Sequence, residues 1–149
     1  MGLDVTATRD IAASPAEVAA IEFDASRDPE WIGGVDRVEW LSPPPLGPGS
    51  QVRRLGSFLG RPIEWIMRVD AFERERHVRM TALKSPFPMQ VDYHLEPTDD
   101  GRSTRASIRI RGEGRGMYGM PGWLMAPMVR RSVASDLARL ERVLMRDPR

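Results

Sequence analysis

Met117-Tyr118-Gly119-Met120-Pro121-Gly122-Trp123-Leu124-Met125-Ala126-Pro127-Met128 leads into Val129-Arg130-Arg131-Ser132-Val133-Ala134-Ser135-Asp136-Leu137-Ala138-Arg139-Leu140-Glu141-Arg142-Val143-Leu144-Met145. The second half has helical spacing. Val129, Val133, Leu137, Leu140 and Leu144 recur every three or four residues and share one face, while Arg130, Arg131, Ser135, Arg139, Arg142 and Arg146 lie mostly on the other. A helix with one apolar stripe must bury it against another layer. The expected partner is a curved antiparallel sheet built from most of the preceding residues, with room for a small molecule between helix and sheet. A two-layer core without a cavity has the same pattern. The first half is looser. An interior proline disrupts a helix by about 3 kcal/mol, so Pro127 is expected to mark a kink or a late first turn. Gly116–Met128, with Tyr118, Trp123, Met125 and Met128, is then the expected gate to any cavity.

Moving outward, the preceding chain supplies the sheet. After Ser50, strand follows strand: Gln51–Leu59 up to the turn Gly60-Arg61-Pro62, then Ile63, Trp65, Met67, Val69 and Ala71 alternating with mostly polar partners. Ile66 breaks that alternation. Val78, Met80 and Ala82 alternate next, then Met89, Val91, Tyr93 and Leu95, and, after Asp99-Asp100-Gly101, Ala106, Ile108 and Ile110. Clean alternation means one packed face and one wet face, as in antiparallel sheets. Short connections favour a meander. Further upstream, Leu3, Val5, Ala7 and Ile11 suggest an opening strand. Ser14-Pro15-Ala16-Glu17 is a capping box with proline at the first helical position, and predicts a helix to about Phe23 or Ala25. Asp28-Pro29-Glu30-Trp31 predicts one more turn, Gly33-Gly34 a release into the strand Val35–Leu41, and Ser42–Gly49 a stiff proline loop. Strand, short helices, about six strands and a long terminal helix make an α+β chain.

Composition narrows the function. The 149 residues suit one domain over 1–149. Lys+Arg 22 against Asp+Glu 21 provides no overall field toward nucleic acid or an anionic membrane. Lys84 is the only lysine among those cations, which fits biased codon usage better than phosphate recognition, because the arginines are scattered among acids. Without cysteine, disulfides, thiolate catalysis and Cys-ligated zinc are excluded. With only His77 and His94, well apart in sequence, no metal site is expected. Gly112-Glu113-Gly114-Arg115-Gly116 lacks the spacing of a phosphate loop and has no Walker lysine, so no cofactor is expected either. Met1–Thr6 matches a loose myristoylation pattern but alternates like a strand. No leader or apolar run of bilayer length is seen, so a soluble, cytoplasmic protein without integral membrane association is expected.

The order of these elements resembles the helix-grip fold of the START-like (SRPBCC) superfamily, in particular its polyketide cyclase/dehydrase-like branch. The likeness is carried by Ile11-Ala12-Ala13-Ser14-Pro15-Ala16-Glu17-Val18, Asp28-Pro29-Glu30-Trp31, Gly47-Pro48-Gly49, Leu95-Glu96-Pro97 with Gly101 and Thr104, and Asp136-Leu137-Ala138-Arg139-Leu140. It covers essentially the whole chain. It implies a curved antiparallel sheet wrapped around the C-terminal helix, with a deep, mostly apolar cavity between them. Members bind or carry lipids, hormones and polyketides, and some cyclise or dehydrate polyketide chains. Fold alone does not choose among these.

On that arrangement the ligand-facing candidates are Trp65, Met67, Met80, Met89, Val91 and Tyr93 from the sheet, and Trp123, Met125 and Met128 from the terminal segment. Methionine suits a surface that adapts to varied apolar ligands, but it also fills ordinary cores. Tyr93 shares its face with apolar neighbours, and a buried phenol needs a partner, so it is a structural or ligand-orienting group and the one weak catalytic candidate. Alternation sends His94 to the opposite, wet face, and His77 belongs to a charged turn. Arg53 and Arg54 both have apolar residues of like parity, so the pattern does not choose between them. Arg54 is retained as a ligand anchor, which would require a carboxylate or an anionic ligand beside it. Glu64, Arg68, Asp70 and Asp92 are expected in cross-strand pairs on the wet face. Binding of a small hydrophobic molecule is the favoured function. A cyclase/dehydratase-type enzyme and a protein-interaction module are the alternatives.

Overall fold

The computed structural model describes residues 2–58, 60–112 and 121–146. The chain opens with β1 (Leu3–Ile11) and passes into α1 (Pro15–Glu22), a 3₁₀ turn (Ala25–Arg27) and α2 (Asp28–Trp31). Six strands follow: β2 (Val35–Trp40), β3 (Gln51–Phe58), β4 (Arg61–Glu73), β5 (His77–Lys84), β6 (Met89–Thr98) and β7 (Ser103–Gly112). The last element is α3 (Gly122–Arg146). The capping box forms as expected: Glu17 N donates to Ser14 Oγ over 3.2 Å and Ser14 N donates to Glu17 Oε1 over 3.0 Å. The two exchanges satisfy amides that the first turn leaves without partners.

The strands make one curved, seven-stranded antiparallel sheet in the order β1-β7-β6-β5-β4-β3-β2. From β2 to β7 it is a meander. The helices of the first crossover carry the chain across the sheet, so β1 pairs with β7 in unbroken register, Leu3 opposite Gly112 and Ile11 opposite Thr104. Two register shifts interrupt β4 against β5, one between Ile66 and Met67 and one between Val69 and Ala71. At the first the extra residue is Leu83 of β5, while Ile66, the residue that broke the alternation, stays in register opposite Arg53. The second corrects the sequence reading: a bulge reverses the faces beyond it, so Phe72 opposite buried Val78 takes the inward place expected for Ala71. A third shift, at Val35/Arg37, depends on glycine. A Cβ on Gly56 would lie 1.6 Å from the Gly34 carbonyl oxygen.

The concave face receives α3, giving the α+β helix-grip architecture. Val129, Val133, Leu137 and Leu140 are buried, with Val143 more deeply so than Leu144. Two details differ from the sequence reading. Asp136 points inward with the apolar stripe. The helix also starts at Gly122, so Trp123, Met125 and Met128 belong to it and Pro127 lies within it. The start is set by close packing: a Cβ on Gly122 would sit 2.9 Å from Leu3 N. The expected gate is therefore helical from Gly122 onward, and the remainder of it up to Met120 lies outside the described residues, as does the glycine run beyond Gly112.

Candidate ligand-binding site

A cavity of about 130 Å³ lies between the sheet and α3. The scale is that of a single aromatic ring, since an apolar cavity of about 150 Å³ holds benzene. β6 and β7 contribute Met89, Val91, Tyr93, Ile108 and Ile110, β3 and β4 contribute Arg54 and Trp65, and α3 contributes Met125, Val129, Ser132, Val133 and Asp136. Trp31, Ile32, Gly33 and Val35 close the end near α2, and Phe87 joins from the β5–β6 loop.

Of the residues singled out from sequence, Arg54, Trp65, Met89, Val91, Tyr93 and Met125 come together in this wall. Met67 and Met80 are fully buried in the core and do not line the cavity. Met128 is half-buried outside it, and Trp123 is 63% exposed on the outer side of α3. The choice between the arginines is resolved by strand register. Arg54 stands opposite Trp65 on the inner face, whereas Arg53 stands opposite Ile66 and bonds Glu39 and Glu64 outside.

The polar end of the cavity is a relay. Arg54 Nε donates to Asp28 Oδ2 over 2.8 Å, and Arg54 Nη2 donates to Tyr93 Oη over 3.2 Å. The Trp31 ring meets Tyr93 edge-on at 5.7 Å, and Phe23 stacks on Tyr93 at 6.3 Å. Burial raises the Asp28 carboxyl to about 6, with Arg54 opposing the rise. Burial disfavours the Arg54 cation, but Asp28 outweighs it and holds the guanidinium charged. Burial also raises the Tyr93 phenol, against the pull of Arg54, so Tyr93 is a proton donor and not a phenolate. The relay is thus close to neutral overall. A second tether joins α2 to α3: Gly33 N donates to Asp136 Oδ1 over 2.9 Å, and Arg139 Nη1 donates to the Trp31 carbonyl over 2.9 Å. Burial raises Asp136 to about 6 despite those donors.

Sequence reasoning missed Asp28, Trp31, Glu22 and Asp136. Asp28 reads in sequence as a helix cap before Pro29, whereas it is the first residue of α2 and its carboxylate accepts from Arg54; the requirement that an inward arginine find a carboxylate was the signal for it. Glu22 is 1% exposed, and neither of its carboxyl oxygens has a partner among the described residues. Burial, and then Asp28, raise it well above the usual carboxylate range. Trp31 Nε1 is likewise buried without a described partner.

On the opposite face, register places His77 against His94, so the two histidines meet, contrary to their separation in sequence. Their rings stack at 4.3 Å and 10°. His77 Nε2 lies 2.7 Å from Asp92, which is buried and also accepts from Arg79 and Arg111. His77 is therefore half-buried at the start of β5 and not in an open turn, while His94 is exposed as expected. Donor atoms of His77, Asp92 and His94 lie within 4.8 Å of one another. Nearly parallel rings, however, hold their in-plane lone pairs in separate planes, and Asp92 is already shared among three cations or donors. The cluster as arranged does not converge on one ion.

The fold has counterparts. The chain is similar to an aromatase/cyclase, Zhui, from Streptomyces sp. R1128, with 19% identity, TM-score 0.80, and 100% of this chain and 97% of that one covered. It is similar to TTHA0849 from Thermus thermophilus, with 19% identity, TM-score 0.78 and coverage of 98% and 99%. A START superfamily protein from Mycobacterium smegmatis has 20% identity, TM-score 0.73 and coverage of 95% and 93%. At such identities these likenesses speak for the fold alone. No curated protein matches the chain. Residues 3–145 match the family model described as polyketide cyclase / dehydrase and lipid transport. The matched span runs from the first residue of β1 to the last turn of α3, and so the chain belongs to the polyketide cyclase / dehydrase and lipid transport family.

Proposed function

We propose that the protein binds a small, mostly apolar molecule in the cavity under α3, with an uncharged oxygen of that molecule at the Asp28–Arg54–Tyr93 relay. The observation that carries this reading is the direction of the relay. Tyr93 Oη accepts from Arg54, which leaves its own proton to donate, and Trp31 Nε1–H in the same wall has no described partner. Two donors without acceptors in an apolar pocket suit a carbonyl or ether oxygen. Because Asp28 already neutralises Arg54, a ketone is a better match than a carboxylate. Apolar burial supplies most of the affinity, at about 25 cal/mol per Å² removed from water. The cavity takes one ring as it stands, and a lipid or multi-ring polyketide requires its walls to part. Native mass spectrometry of the purified protein, followed by titration with aryl ketones, tests this. Tyr93→Phe is expected to weaken ketone binding about tenfold, the equivalent of one hydrogen bond. A protein that is empty as purified and takes up none of the ketones refutes it.

A second reading, a cyclase/dehydratase-type enzyme, is favoured by the protonated phenol beside a fixed cation. In it Tyr93 acts as general acid toward a substrate carbonyl. Tyr93→Phe should then abolish turnover of a candidate polyketide with binding nearly intact, and unchanged turnover removes Tyr93 from the chemistry.

A further inference from the structure

The near balance of charge along the chain conceals one uncompensated face. Arg130, Arg131, Arg142 and Arg146 are exposed on the outer side of α3, and among the described residues none of them meets a carboxylate. The acids of that helix are engaged elsewhere: Asp136 turns inward to Gly33 and Arg139, and Glu141 is bound by Arg9. In contrast, the arginines on the outside of the sheet, such as Arg53, Arg105 and Arg109, each have an acidic partner. The same face of α3 begins with Trp123, 63% exposed, and Leu124, 51% exposed. These two immediately precede Met125, which lines the cavity. Gly122 packs on the start of β1, which pairs with the end of β7 and through it with Met89, so this end of the sheet is where the half-buried cavity residue Met89 lies. Leu83, 47% exposed near the end of β5, is at the same end.

We propose that the outer face of α3 docks on an anionic lipid surface. Trp123 and Leu124 enter the headgroup–acyl boundary, Arg130 and Arg131 reach lipid phosphates, and the Met89 end of the cavity is brought against the bilayer. The mode is peripheral, since no described helix is long and apolar enough to cross a membrane. A lipid surface accounts for both halves of the pattern. Cations alone would suit any acidic partner, but a large indole and a leucine on the convex first turn of a helix need an apolar phase to enter, and a bilayer offers one without shape complementarity. The proposal is independent of what the cavity holds.

Flotation with phosphatidylcholine vesicles, with and without phosphatidylserine, tests it. Binding is expected only with phosphatidylserine, and it should fade as salt shortens the Debye length from about 10 Å at 0.1 M to about 3 Å at 1 M. Each arginine near an anionic surface contributes about fivefold, so R130S/R131S should weaken binding about 25-fold. W123S should weaken it about tenfold, and brominated acyl chains should quench a fluorescence component that W123F lacks. These side chains are exposed, and an unchanged circular dichroism spectrum establishes that the variants are folded. No binding to phosphatidylserine vesicles at low salt overturns the proposal, as does binding indifferent to these substitutions. Equal retention on polyglutamate, insensitive to W123S, also overturns it and identifies a purely electrostatic face for an acidic protein.

Discussion

Arg54 and Asp28 form a buried ion pair across 2.8 Å that joins β3, beside the edge strand β2, to the first turn of α2, with side chains 8% and 1% exposed. Burying two charges is expensive, and the pair persists because each removes the other's need for water. Removing one partner is therefore worse than removing both. Arg54→Met should cost about 3–5 kcal/mol by stranding Asp28, whereas Asp28→Asn combined with Arg54→Met should recover much of that loss. Urea midpoints at constant m value measure both. A single variant no less stable than the double one would show that Asp28 carries no charge beside Arg54.

Glu22 makes stability depend on pH in an unusual direction. Its folded value is raised, so its contribution is complete below its ordinary value of 4.5 and is lost as pH rises toward the folded value. Across that window the loss is about 1.4 kcal/mol per pH unit. Asp28 and Asp136, both raised to about 6, act the same way from their ordinary value of 3.8 upward. His94, lowered by burial and by His77, acts in the opposite sense as pH falls below 6.5. Glu22→Gln separates these effects. Its stability advantage over the parent protein should be small near about pH 5 and grow toward about pH 8. An advantage that does not vary with pH means that Glu22 titrates normally.

Pro127 interrupts the hydrogen-bond ladder of α3 at an exposed position. Alanine there restores an amide able to donate to the Trp123 carbonyl one turn earlier. Pro127→Ala should therefore stabilise the protein by on the order of 2 kcal/mol, the intrinsic helix difference of about 3 kcal/mol less the entropy that proline removes from the unfolded chain. A melting temperature that falls on substitution would mean that the proline bend itself is required for the fit of α3 against β1.

How far the sequence was legible follows from which interactions are local. The Ser14–Glu17 cap, the strand alternation and the Val129–Leu140 stripe are set by neighbours along the chain, and each was readable. The Gly122 start of α3 was not, because proline propensity argued against a helix through Pro127 while packing of Gly122 on Leu3 argued for it. The inward arginine was readable in principle. Phe58 pairs with Arg61 across the turn containing Gly60, and counting back from that pair brings Arg54 opposite Trp65. Phe72 was hidden by a bulge that local alternation does not announce. Asp28, Glu22 and the meeting of His77 with His94 depend on contacts between distant elements, and no periodicity in their own segments carries that information.

The cavity itself yields the last prediction. Val133 lines it from α3 and is only 5% exposed, so a phenylalanine there would place its ring in the space a bound ring must occupy. Filling an existing hollow does not carry the full penalty of overpacking, and the unliganded Val133→Phe variant should stay within about 1–3 kcal/mol of the parent. The parent protein, with an apolar aryl ketone at a hundredfold excess over its dissociation constant, should gain about 2.7 kcal/mol of apparent stability by mass action. Val133→Phe should gain almost none. Because the comparison is of ligand-induced shifts and not of absolute melting temperatures, a modest change in the variant's own stability cancels. Equal shifts in the two proteins would place the ligand somewhere other than under α3, and the relay of Asp28, Arg54 and Tyr93 would then be a structural brace between α2 and the sheet.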